Sequence, residues 1–213
     1  MSSQLSLQVV ATAQEIRRRI DAIQKTRIRN CLRLQYLTAS RIAEIAGPRG
    51  IKGKDCQLTS YQQHPVAVFS IKTAKARNRV KASAIPLEAQ FEPWTQSLVD
   101  YFKTIQPEQP AFNLSTRQIQ KDAKQVFKGL SYEIEEYWDE GEAIPGHSTN
   151  LCTHGLRHIR ITELTMHYGF DELDLTIFAG WSFKRGILPG VASRYLHRQW
   201  SRYFPKLLKP LPS

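Results

Sequence analysis

Thr153-His154-Gly155-Leu156-Arg157-His158-Ile159-Arg160, THGLRHIR, follows a loop rich in Ser, Thr, Pro and Gly and opens a run in which Leu156, Ile159, Ile161 and Leu164 are apolar. The spacing predicts a helix capped by Thr153 and ended at Gly169. Two histidines and two arginines within a turn and a half repel one another unless an anion sits among them. The helix N-terminus adds its own partial positive charge to that crowd. The stretch therefore reads as one wall of an anion site.

The rest of the chain must supply the other walls. Its 213 residues, 41% of them hydrophobic, are enough for one sizeable core and predict a single domain. Lys and Arg number 30 against 19 Asp and Glu, a net charge of +11 that favours a polyanion, with nucleic acid the leading partner. Many basic proteins bind no nucleic acid, so the positions of the charges must decide. Cys31, Cys56 and Cys152 form no CxxC pair, which argues against a disulfide framework or a zinc ribbon and for a reducing compartment. No apolar run approaches the roughly 18 residues of a membrane span, and no secretion signal opens the chain. A soluble, cytoplasmic, DNA-associated protein is expected, with no membrane partner.

Thr12-Ala-Gln-Glu15 has the form of a capping box, followed by Ile16, Ile20 and Ile23 at helical spacing. The period continues through Ile28, Cys31, Leu32, Leu34 and Leu37, breaks at Thr38-Ala39-Ser40, and resumes from Arg41 to Ile45 before Gly47-Pro48. Between Asp55 and Leu87, Val66, Val68 and Ile71 and then Val80, Ala82, Ala84 and Ile85 predict a three-stranded antiparallel sheet with a cationic hairpin from Lys72 to Arg79. Helices are expected over 91–105, from a second capping box at Ser115 to about Trp138, and over 171–179. The acidic tract from Glu133 to Glu142 reads as a solvated face. The tail from Val191 to Leu208 alternates aromatics with Arg194, Arg198, Arg202 and Lys206 and is expected to be partly helical.

Taken in order, Arg41, Lys72 and Lys75 on a hairpin, His154 with Arg157, Trp181 and Tyr195 resemble the catalytic domain of the tyrosine recombinases, the phage-integrase family, from about Thr12 to Tyr195. His154-Gly-Leu-Arg157-His158 is similar to the family's HxLRH box. Thr38-Ala39-Ser40-Arg41-Ile-Ala-Glu44 is similar to its first arginine box, with Ser40 where a leucine is usual. Val66 to Thr73 and Ile85-Pro86-Leu87 resemble the strand, K-T turn and closing strand, and Gly180-Trp181-Ser182 takes the place of the G-H-S or G-W-S element. Tyr195 follows Trp181 by fourteen positions, longer than usual, so the resemblance requires an inserted loop over 184–189.

The resemblance implies an α+β, mostly helical catalytic domain with a small three-stranded sheet. Its core would span about 12–200, with 201–213 as a C-terminal tail and the family's N-terminal clamping domain absent. It implies DNA strand cleavage and rejoining through a 3′-phosphotyrosyl link, without metal or cofactor. Arg41 and Arg157 would meet charge on the non-bridging oxygens, since guanidinium forks suit that geometry. His154 would exchange a proton with the nucleophile Tyr195. Lys72, with Lys75 in reserve, would protonate the departing 5′ oxygen, and Trp181 would donate its indole N–H to the phosphate. Glu44 and His158 would act from behind, Glu44 by orienting His154 or Arg157. Arg77, Arg79 and Lys81, with Lys121 and Lys124, are expected to contact DNA phosphates.

Rival readings stand beside these. Cys152, His154, His158 and His147 could hold zinc, although they lack a second paired half. Tyr203 is the rival nucleophile. The chain could bind DNA without cutting it, or relax DNA as a type IB topoisomerase does. Viral integration, plasmid maintenance and chromosome-dimer resolution all fit, as does a tetramer on DNA exchanging a tail from Phe204 to Leu211.

Overall fold

In a computed structural model, which describes residues 9–74, 79–134, 137–139, 142–181 and 200–212, a two-residue strand β1 (Val9–Val10) leads into helix α1 (Ala13–Asp21). Thr12 Oγ1 accepts the Glu15 N–H at 3.1 Å, so the expected N-terminal cap is present. Helix α2 (Thr26–Leu37) carries so many apolar residues that it is buried nearly all round; Cys31, Leu32, Leu34, Tyr36 and Leu37 have no exposed surface. It is the hub of the helical layer, packed against α1 and the one-turn helix α3 (Ile42–Ile45).

The predicted antiparallel sheet is formed by β2 (Cys56–Tyr61), β3 (His64–Lys72) and β4 (Val80–Pro86), in sequence order. Its register pairs Ile71 with Lys81 and Lys72 with Val80. Helix α4 (Thr95–Lys103) and helix α5 (Thr116–Val126) follow.

The expectation of a long helix reaching Trp138 is overturned. Helix α5 ends at Phe127, and Gly129, at φ +84°, turns the chain into strand β5 (Leu130–Ile134). Leu130, Ser131 and Tyr132 are buried there, so the segment is held by packing rather than by helical propensity. Nor does Ser115 cap α5 with its side chain; Gln118 donates instead to Asp122 at 2.8 Å. The acidic tract includes a short hairpin, β6 (Tyr137–Asp139) and β7 (Glu142–Ile144). Strand β8 (His147–Asn150) returns antiparallel to β5, while β1 lies parallel on the other side of β5, completing a second three-stranded sheet. The protein is thus a mixed α+β structure with more strand than its sequence suggested.

Helix α6 (Thr153–Met166) runs from this sheet into the core against α2, and Gly169, at φ +69°, follows its end as expected. Thr153 is its first residue rather than its cap, a position held by Cys152. Helix α7 (Glu172–Ala179) is capped by Asp171, whose carboxylate accepts the Asp174 N–H at 2.9 Å. Two 3₁₀ turns, Trp200–Arg202 and Phe204–Leu207, close the described chain. Tyr203, Phe204 and Leu207 are buried in this chain's own core, so the expected exchange tail begins with residues packed at home.

Buried charge ties the helical layer together. Arg17 makes two hydrogen bonds to Glu92, at 2.8 and 2.7 Å, with its guanidinium 4.5 Å from the Trp94 ring centre. Arg160 pairs with Glu163, which also accepts the Tyr36 hydroxyl at 2.9 Å. Among the described residues, no helix is long and apolar enough to cross a membrane.

Candidate phosphate site

The break between α2 and α3 supplies the first wall. Thr38 Oγ1 donates to the Leu34 carbonyl at 2.7 Å and lies 2.7 Å from Ser40 Oγ. With its one proton committed, Thr38 accepts from Ser40, so Ser40 is buried and satisfied. Ala39 takes a left-handed conformation at φ +46°, strained for a residue with a Cβ. Arg41 follows at the start of α3, its side chain 31% exposed.

Glu44, expected to orient His154 or Arg157, is fully buried in its side chain; it bonds to Arg41 and acts on Arg157 electrostatically. One carboxylate oxygen accepts the Arg41 backbone N–H at 2.8 Å; the other accepts Arg41 Nη1 at 3.1 Å and the Ala74 N–H at 3.1 Å. Burial alone would raise the Glu44 carboxyl, but the Lys81 charge and the Ala74 and Arg41 amides outweigh it and hold it below the usual carboxylate range.

Helix α6 supplies the second wall. Gly155 allows it to start against β5: a Cβ there would lie 2.6 Å from the Tyr132 ring and 2.7 Å from Leu151. The Gln35 amide donates to the Thr153 carbonyl at 2.7 Å, fixing the helix start to α2. Arg157 is buried, and its Nη1 donates to the Ala39 carbonyl, whereas its buried Nη2 has no hydrogen-bond partner among the described residues. Burial, helped by the Arg41 charge, pushes its guanidinium down to about 10, so it is still a cation at neutral pH. His154 is exposed in the first turn of α6. His158, one turn on, lies against Tyr132 with ring centres 5.2 Å apart, and burial and His154 lower its pKa.

Trp181 is brought in by Gly180, which ends α7 at φ +70° and approaches Thr73 and Lys81 so closely that a Cβ would lie 2.9 Å and 3.1 Å from their side chains. The Trp181 ring centre is then 5.8 Å from the Arg157 guanidinium, within cation–π range.

Two expectations about lysines are revised. Lys81 does not face outward to meet DNA phosphates: it is buried, and its Nζ donates to the Thr38 carbonyl at 2.8 Å. Lys72, expected at the reaction centre, is exposed and lines a separate groove with Arg49, Lys52 and Lys54. The reason is the two-residue period of a strand: Lys81 shares its face with Ser83 and Ile85 and lies opposite Ile71, while Lys72 lies opposite exposed Val80. That parity was available in the sequence, but the charge of Lys81 argued for the surface.

Lys121 and Lys124 stand as expected on the exposed face of α5. With Arg117, Gln118, Thr153 and His154 they line a groove of about 940 Å³ leading to the start of α6. Arg117 had not been singled out, although it precedes Lys121 by one helical turn. Arg79 is partly buried at the base of the hairpin, where its carbonyl accepts the Thr73 N–H at 2.9 Å. Lys75, Arg77 and Tyr195 lie outside the described residues.

Tyr203, the rival nucleophile, is fully buried. Its hydroxyl accepts the Ala84 N–H at 2.9 Å and donates to the Ala82 carbonyl at 3.0 Å, and burial pushes its pKa up. A phenol so placed is inaccessible to a phosphodiester.

Arg41, Lys81 and Arg157 thus act on one another electrostatically, with Glu44 the one carboxylate, among the described residues, that perturbs Lys81 and Arg157. Such a surplus of partly desolvated positive charge is suited to holding an oxyanion. No family model, curated protein or solved structure matches this chain.

Proposed function

We propose that this chain is a tyrosine-recombinase catalytic domain that cuts and rejoins double-stranded DNA. The observation that carries the reading is the Nη2 of buried Arg157, without a partner among the described residues, in a cluster where the described cations Arg41, Lys81 and Arg157 outnumber Glu44. A scissile phosphate would supply the missing anion, and the groove lined by Arg117, Lys121, Lys124 and His154 would carry the flanking backbone.

In this reading the Tyr195 oxygen attacks phosphorus as its proton passes to His154. The bond to the 5′ oxygen breaks, a 3′-phosphotyrosyl link forms, and the 5′ oxygen takes a proton from a hairpin lysine, Lys75, since Lys72 lines a separate groove. Arg41 and Arg157 stabilise the charge on the non-bridging oxygens, and rejoining reverses each step. Assembly of several copies on DNA through the C-terminal tail belongs to the same proposal.

A binding-only protein is the second reading, favoured by the position of Lys72 on the opposite face of β3 from Ile71. Nicked suicide substrates drawn from the flanks of the chain's own gene separate the two. The recombinase forms an adduct stable in denaturant that Tyr195→Phe and Arg157→Ala abolish. DNA binding without any adduct on these substrates would establish the binding-only reading.

A further inference from the structure

Lys81 takes part in no bond-making step described so far, yet it belongs to the cationic cluster that would hold the phosphate. Its ammonium donates to the Thr38 carbonyl, and Arg157 donates to the next carbonyl, Ala39. These two bonds hold consecutive peptide units of the strained turn whose exit presents Arg41. The charged groups acting on Lys81 come from two elements: Arg41 and Glu44 at α3, and Arg157 on α6. At the end of α7 its side chain lies against Gly180, and among the described residues no further charged group is among those acting on it.

We propose that Lys81 is a positioning residue of the phosphate site, holding the Thr38–Ala39 turn with Arg157 and acting through space on the Glu44 carboxylate so that Arg41 can turn to an incoming phosphate. The proposal rests on the recombinase reading for its consequence in catalysis, but its structural content does not. Arg41 Nη1 is bonded to Glu44 at 3.1 Å, and a guanidinium engaged in that way has a fork partly occupied. The Lys81 ammonium is a second counter-charge for the same carboxylate, which lowers the cost of releasing Arg41. Without it, Glu44 would grip Arg41 and the Thr38 carbonyl would lose its donor. Burial, reinforced by Arg157 and Arg41 and opposed by Glu44, lowers the Lys81 pKa to about 7, so its charge can be changed without unfolding the protein.

The Arg41 and Ala74 amides both donate to Glu44, which makes their nitrogen and proton chemical shifts direct reporters in the DNA-free protein. In the wild type both should move together with a common midpoint near pH 7. Lys81→Met, which keeps the length of the apolar stem but not the charge, should abolish that step. Absence of the step from the wild type, or its persistence in Lys81→Met, overturns the proposal. The wild-type titration needs no variant, so a Lys81→Met chain that failed to fold would leave the question decided by it.

On the suicide substrate, Lys81→Met should lose on the order of 100-fold in cleavage rate with DNA affinity within about threefold. Lys81→Arg, which retains charge and donors, should recover much of that rate. A folded Lys81→Met that cuts at the wild-type rate also overturns the proposal. No adduct from the wild type, with the amide step present, sinks the recombinase reading and leaves the positioning of Arg41 by Lys81 standing.

Discussion

Replacing Tyr203 by Phe tests the fold and the choice of nucleophile together. The hydroxyl bridges the Ala84 N–H and the Ala82 carbonyl, two groups on one side of β4, which is an edge strand of its sheet. These outward groups have no further strand to pair with, so Tyr203 does for them what a neighbouring strand would do. The ring itself is held by Phe170 and Phe178, with centres 5.4 and 5.2 Å away, and phenylalanine preserves those contacts. The substitution therefore removes one hydroxyl and strands a buried amide and a part-buried carbonyl. That costs about 2 kcal/mol, within the range of roughly 1–3 for an unsatisfied buried group. For a chain of this size the melting temperature should fall by about 4–8 °C. Equilibrium urea unfolding measures the loss directly, and covalent trapping on a nicked substrate measures the chemistry. Adduct formation should persist, because a buried phenol cannot reach DNA. A folded Tyr203→Phe chain with stability within about 0.5 kcal/mol of wild type would refute the bridging role. Loss of the adduct from that folded chain, with retention in Tyr195→Phe, would refute the assignment of the nucleophile.

The buried pair of Arg160 and Glu163 gives a larger effect: Glu163→Ala leaves a buried guanidinium without its carboxylate and the Tyr36 hydroxyl without its acceptor, and should cost about 3–5 kcal/mol in urea unfolding. Lys81 should make stability depend on pH. Below about pH 7 it is charged in both the folded and unfolded chains; above that the folded chain has shed a proton that the unfolded chain keeps until about pH 10, so stability rises with pH across that window. The rise, roughly 5 kcal/mol at most, should be missing from the unfolding free energies of Lys81→Met. Changing Lys121 and Lys124 together to Gln should weaken DNA binding evenly across sequences and reduce the slope of log affinity against log salt by up to about 1.8, as expected for two phosphate contacts. An unchanged slope would remove α5 from the binding face.

Local signals in the sequence by themselves determined most of the elements and their order. The Thr12 cap, the apolar period of α1 and α2, the alternation of β3 and β4, and Gly169 after α6 each specify a conformation over a few neighbouring residues, and each is where the pattern put it. The residues proposed to touch the phosphate were legible for a related reason: Arg41, His154, Arg157 and Trp181 occur in short, recognisable spacings. Tertiary structure alone decided the rest. Strand β5 exists because Leu130 and Tyr132 find a buried face between β1 and β8, partners 121 and about 20 residues away in the chain, and helical propensity in that tract is overridden by burial. Tyr203 and Lys81 show the same limit at single residues. An isolated tyrosine among arginines and a lysine at the end of a cationic hairpin both read as surface groups facing DNA. Their hydroxyl and ammonium are instead spent on the carbonyls of Ala82 and Thr38, which only the folded chain brings within hydrogen-bonding distance, because a polar group pays for burial with partners that sequence neighbours do not supply.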